Sequence, residues 1–274
     1  MDLEAYLDRI GYAGPVRPDL ATLRALHRAH LQAIPYENLD IQFGRPLTPD
    51  PAAAFEKLVG RGRGGWCYEM NGVFGAVLAE IGFRVTRMAG AAMRELLGDA
   101  AIGNHLVLLV ELGGEPWIAD VGFGDGILEP FRLQAAELTA GGYPFRLEAI
   151  SEGWWRFHNH EFGGAKSFDF AVAPADPALL AEKCAWLQSA PESTFVLNAI
   201  VQRYRGEEIW QMRGRVLRRV RPTGVETRVL SSADELVDVL ARTFGLDLPE
   251  AATLWPRILA RHEAVMAAAA AVPA

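Results

Sequence analysis

Hydrophobic positions along the chain follow two different periods. In the first third they recur at helical spacing. Leu20, Leu23, Leu26 with His27, and then His30 with Leu31, share one stripe of LATLRALHRAHLQA. Asp19 is the N-cap of that stripe, which stops before Pro35. Asp50 followed by Pro51 predicts a second helix over PAAAFEKLVG, because a short acceptor side chain and a proline both suit a helix start. A third helix is predicted from Cys67 to Gly82, with Phe74, Val77, Leu78 and Ile81 on one face and Gly82 as the stop. Three helices this close together predict a small bundle.

The period then shortens to two. RVTRMAGAAM, HLVLLVEL and PWIADVGF read as strands, with a tight turn at Gly113-Gly114 between the last two. YPFRLEAI, WWRFHNH and KSFDFAV continue the pattern, and the six segments predict an antiparallel sheet or small barrel. Asp176-Pro177 caps a short helix, ALLAEKCAWLQ. In the last third, STFVLNAIVQRY, EIWQMRGRVLRRV and ETRVL read as strands, with Arg213, Arg215, Arg219 and Arg221 alternating with apolar partners on a half-exposed face. Ser232 and Glu235 form a capping box for a helix through Phe244. Pro249 opens another toward His262, and MAAAAAVPA reads as a fraying end.

Composition narrows the function. Of 274 residues, 50% are apolar and 22% charged, a globular balance that excludes wholesale disorder. The net charge of −7 argues against a nucleic-acid role, which needs a basic face. No apolar run is long enough to span a bilayer, and the acidic start MDLEAYLDRI lacks a signal-peptide core, so the expectation is a cytoplasmic protein that does not engage a membrane. Cys67 and Cys184 sit in dissimilar contexts and are expected to be thiols. No cysteine or histidine spacing typical of zinc occurs, so no metal is expected. His158 and His160 read as strand polarity, His27 and His30 as surface or satisfied core positions, and Cys184 as packing.

The stretch RGRGGWCYEMNGVF carries the chemistry. Gly62, Gly64 and Gly65 make a close-approach loop, and Cys67 follows at a helix N-terminus, where free N–H groups favour a thiolate. A buried structural cysteine is the competing reading. A nucleophile needs a base, and the base an orienter. His105 opens one predicted strand and Asp120 closes the next. With a two-residue turn at Gly113-Gly114, Leu112 faces Glu115, Val107 faces Asp120 and His105 faces Gly122. His105 and Asp120 are then diagonal neighbours on one face, roughly 7–8 Å apart at the backbone.

RGGWCYEMNG, NHLVLLV, DVGFG and, ahead of them, IPYENLDI together resemble the arylamine N-acetyltransferase family in content and order, over essentially the whole chain. The resemblance implies an α+β fold in three parts: a helical bundle over 1–85 carrying the nucleophile, an antiparallel β-barrel over 86–190 carrying the histidine and aspartate, and an α/β lid over 191–274. The first two form a papain-like core. It implies Cys67 as nucleophile, His105 as base and Asp120 as orienter. The implied reaction is a ping-pong transfer of acetyl from acetyl-CoA to arylamines, N-hydroxyarylamines or hydrazines, in the setting of xenobiotic metabolism. Acetyl-CoA is then a co-substrate, with no permanently bound cofactor, and the protein a monomer or homodimer.

Gly122, Phe123 and Gly124 match the family loop that touches the CoA pyrophosphate. Asp125 stands where the family more often has a second glycine, and places an anion close to the phosphates. Glu37 and Arg63 flank two family motifs and are expected to pair in a structural role. Asn71 shares a helix face with Cys67, either bracing the site or lying on the surface. Tyr36, where the family often has Phe, is expected to line the acceptor pocket. Three alternatives stand beside the transferase: an amide synthase that releases a polyketide chain, a silent binder of aromatic ligands or CoA, and a papain-like hydrolase.

Overall fold

Short polar side chains set the helix starts. In the computed structural model, which describes residues 1–151 and 153–271, Asp2, Asp19, Asp50 and Asp176 each accept a backbone N–H two or three residues on. They open helices Leu3–Ile10, Leu20–Ala33, Pro51–Phe55 and Pro177–Ser189. The Pro51 helix widens into a π turn over Glu56–Gly60, so the two together cover the predicted PAAAFEKLVG. Helix Cys67–Ile81 begins and ends as its pattern predicts, with Gly82 as C-cap. Helix Leu3–Ile10 is an addition to the predicted bundle; Tyr6 and Ile10 are its buried face.

The middle of the chain forms an eight-stranded antiparallel sheet. Its order is Phe131–Arg132, Glu115–Ile118, His105–Leu112, Arg84–Ala92, Ser167–Ala171, Trp154–His158, Tyr143–Ser151, Ala136–Ala140. The register across the Gly113-Gly114 turn runs from Leu112↔Glu115 to Leu109↔Ile118, as the two-residue turn predicts. Both glycines take positive φ, 62° and 79°, the geometry of a primed hairpin turn. The ladder ends there, with a last bond from Ala119 N to Leu108 O at 3.0 Å. Asp120 and Gly122 therefore lie beyond the strand rather than opposite Val107 and His105 in a ladder.

The last third forms a five-stranded antiparallel sheet, and its edge strand comes from the first third: Tyr36–Glu37 pairs with Ile200–Arg205. Two expectations change here. STFVLNAIVQRY is not one strand, because Ser193 caps a helical turn over Thr194–Leu197 before the strand begins at Ile200. EIWQMRGRVLRRV is a hairpin, Glu208–Arg213 against Val216–Arg221, turning at Gly214. Arg213 and Arg215 flank that turn, while Arg219 and Arg221 both donate to Glu208.

The Ser232–Glu235 cap, with Glu235 N donating to Ser232 Oγ at 3.2 Å, opens helix Ala233–Val239, which runs on to Phe244 as a π turn. A 3-10 turn from Pro249 leads into helix Trp255–Ala270. Positions 272–274 of the predicted fraying end lie outside the described residues. Helix Cys67–Ile81 packs on the Arg84–Ala92 and His105–Leu112 strands through a common apolar core that includes Phe74, Val77, Met88 and Leu108. Among the described residues, no helix is long and apolar enough to cross a membrane.

Candidate active site

Cys67 is the first residue of its helix and is 2% exposed. Its Sγ lies 3.9 Å from the Asn104 carbonyl, so the thiol abuts the residue that precedes His105. Burial pushes the Cys67 thiol well up from its ordinary value. The N–H of Leu106 opposes this, the charges of Cys184 and Asp120 add to it, and the N–H of Tyr68 opposes it again. The lowering expected from a helix N-terminus is therefore outweighed by desolvation, and a thiolate here needs a cationic partner.

His105 opens its strand and Asp120 follows the next, and their side chains meet: Nε2 lies 2.6 Å from Asp120 Oδ2, both residues being buried. Asp120 Oδ1 accepts from Asn71 Nδ2 at 2.7 Å and from Gly122 N at 2.8 Å. Burial alone would raise the Asp120 carboxyl; the charge and hydrogen bond of His105, with the bonds from Asn71 and Gly122, hold it below the usual range instead. The imidazole packs between Phe123 and Phe168, with ring centroids 5.3 and 5.0 Å away.

Asn71 is fully buried and is not a surface residue. Besides Asp120, its Nδ2 reaches the Leu106 carbonyl at 2.5 Å, and its Oδ1 accepts from Val121 N at 2.9 Å. One side chain thus joins the cysteine helix, the histidine strand and the aspartate loop. Gly122 closes the cluster: a Cβ there would lie 2.9 Å from Cys67 Cα and 2.6 Å from Asn71 Nδ2, so only glycine lets the loop approach.

Glu37 and Arg63 do pair, at 3.0 Å and 2.7 Å through Nε and Nη2. The pair is one end of a larger buried array that sequence reasoning missed. Arg63 Nη1 reaches Asp40 at 3.1 Å, Lys57 reaches Asp40 at 3.2 Å, and Lys57 reaches Glu69 at 2.8 Å. Glu69 Oε2 in turn accepts the N–H of Trp66 at 3.3 Å, which ties the array to the start of the cysteine helix. Three carboxylates face two buried cations, with the more exposed Arg45 adding a third at 3.3 Å from Asp40, and burial pushes Glu69 up to about 7 in spite of Lys57. Asp40 lies within IPYENLDI and Glu69 within the cysteine motif, so both were in view. Their signal is only three-dimensional, because Lys57 comes from another helix.

The segment Gly122, Phe123 and Gly124 lies directly between Asp120 and Asp125, against Cys67 and Tyr36. Tyr36 is buried in the same cluster as Cys67, Trp66 and Leu106. Asp125 does not face outward as an anion on the loop. It is buried, its Oδ1 accepts from Asn159, and its Oδ2 accepts from Gly164 N, Gln202 and Gln211 at 2.7–2.8 Å. Burial raises its carboxyl to about 6 against these donors. Asn159, Gln202 and Gln211 carried no sequence signal, since Asn159 follows the end of strand Trp154–His158 in one sheet while Gln202 and Gln211 lie on neighbouring strands of the other.

The remaining candidates make no hydrogen bond to the Cys67, His105 or Asp120 side chains, although Cys184 shares the buried cluster of Cys67 and Tyr36. His27 and His30 are buried, each with one bond, to the Leu128 carbonyl at 3.0 Å and the Tyr6 hydroxyl at 2.8 Å. His158 is a strand residue bonded to Glu148 at 2.6 Å, whereas His160 lies past the strand end, buried and 3.1 Å from the Asp125 carbonyl. Cys184 is buried packing, 3.7 Å from Gln188 Nε2.

A three-part α+β chain with this cluster at its centre defines the class: the profile of the N-acetyltransferase family matches residues 19–253, and the protein is an acetyltransferase by family. Within that class, the chain belongs to the arylamine N-acetyltransferase family. It is 37% identical to an arylamine N-acetyltransferase of Mycolicibacterium smegmatis over 269 residues, covering 92% of this chain and 94% of that one. The solved arylamine N-acetyltransferase of Mycobacterium marinum superposes with a TM-score of 0.86 at 34% identity, over 94% of this chain and 98% of that one. The same enzyme in complex with CoA gives a TM-score of 0.85 at 34% identity, over 95% and 98%.

Proposed function

We propose that the protein moves an acetyl group from acetyl-CoA to arylamines, N-hydroxyarylamines or hydrazines by a ping-pong route through acetyl-Cys67. The observation that carries this reading is the 2.6 Å bond from His105 to Asp120, braced by Asn71, on the strand whose preceding residue, Asn104, abuts the Cys67 sulfur.

Asp120 occupies Nε2 of His105, which leaves Nδ1 to take the thiol proton. The sulfur attacks the thioester carbonyl, and the carbonyl electrons move onto oxygen. Their return expels CoA, which takes the proton from His105. The acetyl-cysteine is then attacked by the neutral nitrogen of the acceptor. That nitrogen gives a proton to His105, and the cysteine sulfur leaves and recovers it. Exchange of one thioester for another is nearly isoenergetic, so a cysteine suits the carrier role. The backbone N–H of Cys67 is one donor for the oxyanion.

Gly122, Phe123 and Gly124 approach the CoA pyrophosphate and Tyr36 lines the acceptor pocket; Glu37 and Arg63 give structural support. We place domain divisions at 85 and 190 and the protein in the cytoplasm, working on small molecules without nucleic acid, membrane or metal, as a monomer or homodimer.

Single-turnover mass spectrometry tests this. Mixing with acetyl-CoA should add one acetyl group to Cys67, and a panel of aromatic amines and hydrazines should remove it. An amide synthase would fail at the first step, and so would a silent binder. A hydrolase would release acetate without any amine.

A further inference from the structure

Gln202 lies on the strand Ile200–Arg205, directly opposite Tyr36 in register. Its Nε2 donates to Asp125 Oδ2 at 2.8 Å. An ionised carboxylate only accepts, so the amide can face Asp125 with its NH2 group and not with its oxygen. The charge of Asp125 thereby decides which way the amide is turned. The Gln202 oxygen is left on the other side, against the loop: a Cβ on Gly124 would fall 1.8 Å from Oε1, with a ring carbon of Tyr36 3.4 Å from the same point. Gln202 is only half-buried. Among the described residues, none donates a hydrogen bond to Oε1.

We propose that Gln202 is a specificity-determining residue of the transfer site, turned by Asp125 so that its side-chain oxygen accepts an N–H of the bound substrate. The inference rests on the transferase reading above. Two substrates of that reaction carry the required group: the amine or hydrazine acceptor, and the pantetheine arm of acetyl-CoA with its amides. Neither apolar ligands nor N–H-free acyl donors gain from this oxygen. Asp125 acts through Gln202 and is a positioning residue.

The test compares Gln202→Met, similar in length but without hydrogen-bonding capacity, with wild type in steady state. Acetyl-CoA and p-nitrophenyl acetate, which has no N–H, serve as acyl donors, and 4-methoxyaniline as acceptor. Loss of one ground-state hydrogen bond should raise the relevant KM about three- to tenfold and leave kcat near wild type. A rise for acetyl-CoA but not for p-nitrophenyl acetate assigns the bond to the pantetheine amide. A rise for the amine with both donors assigns it to the acceptor. Asp125→Asn frees the amide to turn and should raise the same KM by a smaller factor, which supplies a second reading should Gln202→Met fail to fold. All three KM values within about twofold of wild type, or a fall in kcat alone, in a variant that melts cooperatively overturns the proposal. A wild-type protein that takes no acetyl group from either donor overturns the transferase reading and this one with it; that failure is distinguishable because it precedes any variant.

Discussion

Asn71 donates to Asp120 across 2.7 Å on the oxygen that His105 does not use. The carboxylate is held at both ends, so its second oxygen meets the imidazole without a choice of rotamer. Asn71→Ala should leave Asp120 Oδ1 with only the Gly122 N–H and two backbone groups without a partner. The expected result is a loss of about 1–3 kcal/mol in stability and a lower kcat. Thermal melting and single-turnover acetylation check the two effects.

Cys67→Ser should abolish transfer while the fold remains, because an alkoxide is far harder to form than a thiolate near neutral pH. Intact-mass measurement after acetyl-CoA should find no acetyl adduct. An adduct formed at a rate near wild type would move the nucleophile elsewhere.

Asp120→Asn should lower transfer by on the order of 10³-fold, because the imidazole loses its orienter and the charge that supports an imidazolium. The same change should carry the pH profile of thiol alkylation at Cys67 upward, since burial already disfavours the thiolate. An unchanged profile would mean that His105 does not support the sulfur.

Glu69 gives a pH prediction with a definite sign. Its folded value is pushed up to about 7 from an ordinary 4.5, mainly by burial. Between those values the folded protein holds a proton that the unfolded chain has lost, so this group favours folding below its ordinary value. That contribution fades as pH rises through about 7. Glu69→Gln should remove it and flatten the stability profile of the protein over that window, by on the order of 3 kcal/mol. Denaturation midpoints of both proteins at several pH values give the comparison; parallel profiles would reject it.

Arg63→Ala should be severe, at about 3–5 kcal/mol, because Glu37 and Asp40 would be left buried without that cation. Urea unfolding measures it. A loss below about 1 kcal/mol would mean that the array behaves like a solvated pair.

Local signals and long-range ones divided cleanly. The caps at Asp19, Asp50, Asp176 and Ser232, the cysteine helix with its stop at Gly82, and the turn at Gly113-Gly114 were legible because each depends on residues within a few positions of one another. The turn carried the register of the hairpin as far as Ile118, while Asp120 meets His105 from beyond the strand end. Where two signals competed within one segment, the reading failed: the Ser193 cap and the Gly214 turn each broke a run whose apolar content resembled a continuous strand.

By itself, the order of residues determined the helical start, the β middle, the mixed end, and the three segments from which the cysteine, histidine and aspartate come. Tertiary structure alone decided what surrounds them. Asn71 became a buried brace, Asp125 turned inward onto Gln202 and Gln211, and Lys57 joined Asp40 to Glu69. Capping and periodicity are properties of neighbouring positions and can be read from a string. Whether a polar side chain is exposed or sealed depends on which distant segment lands on it, and that follows from how the whole chain buries its apolar surface.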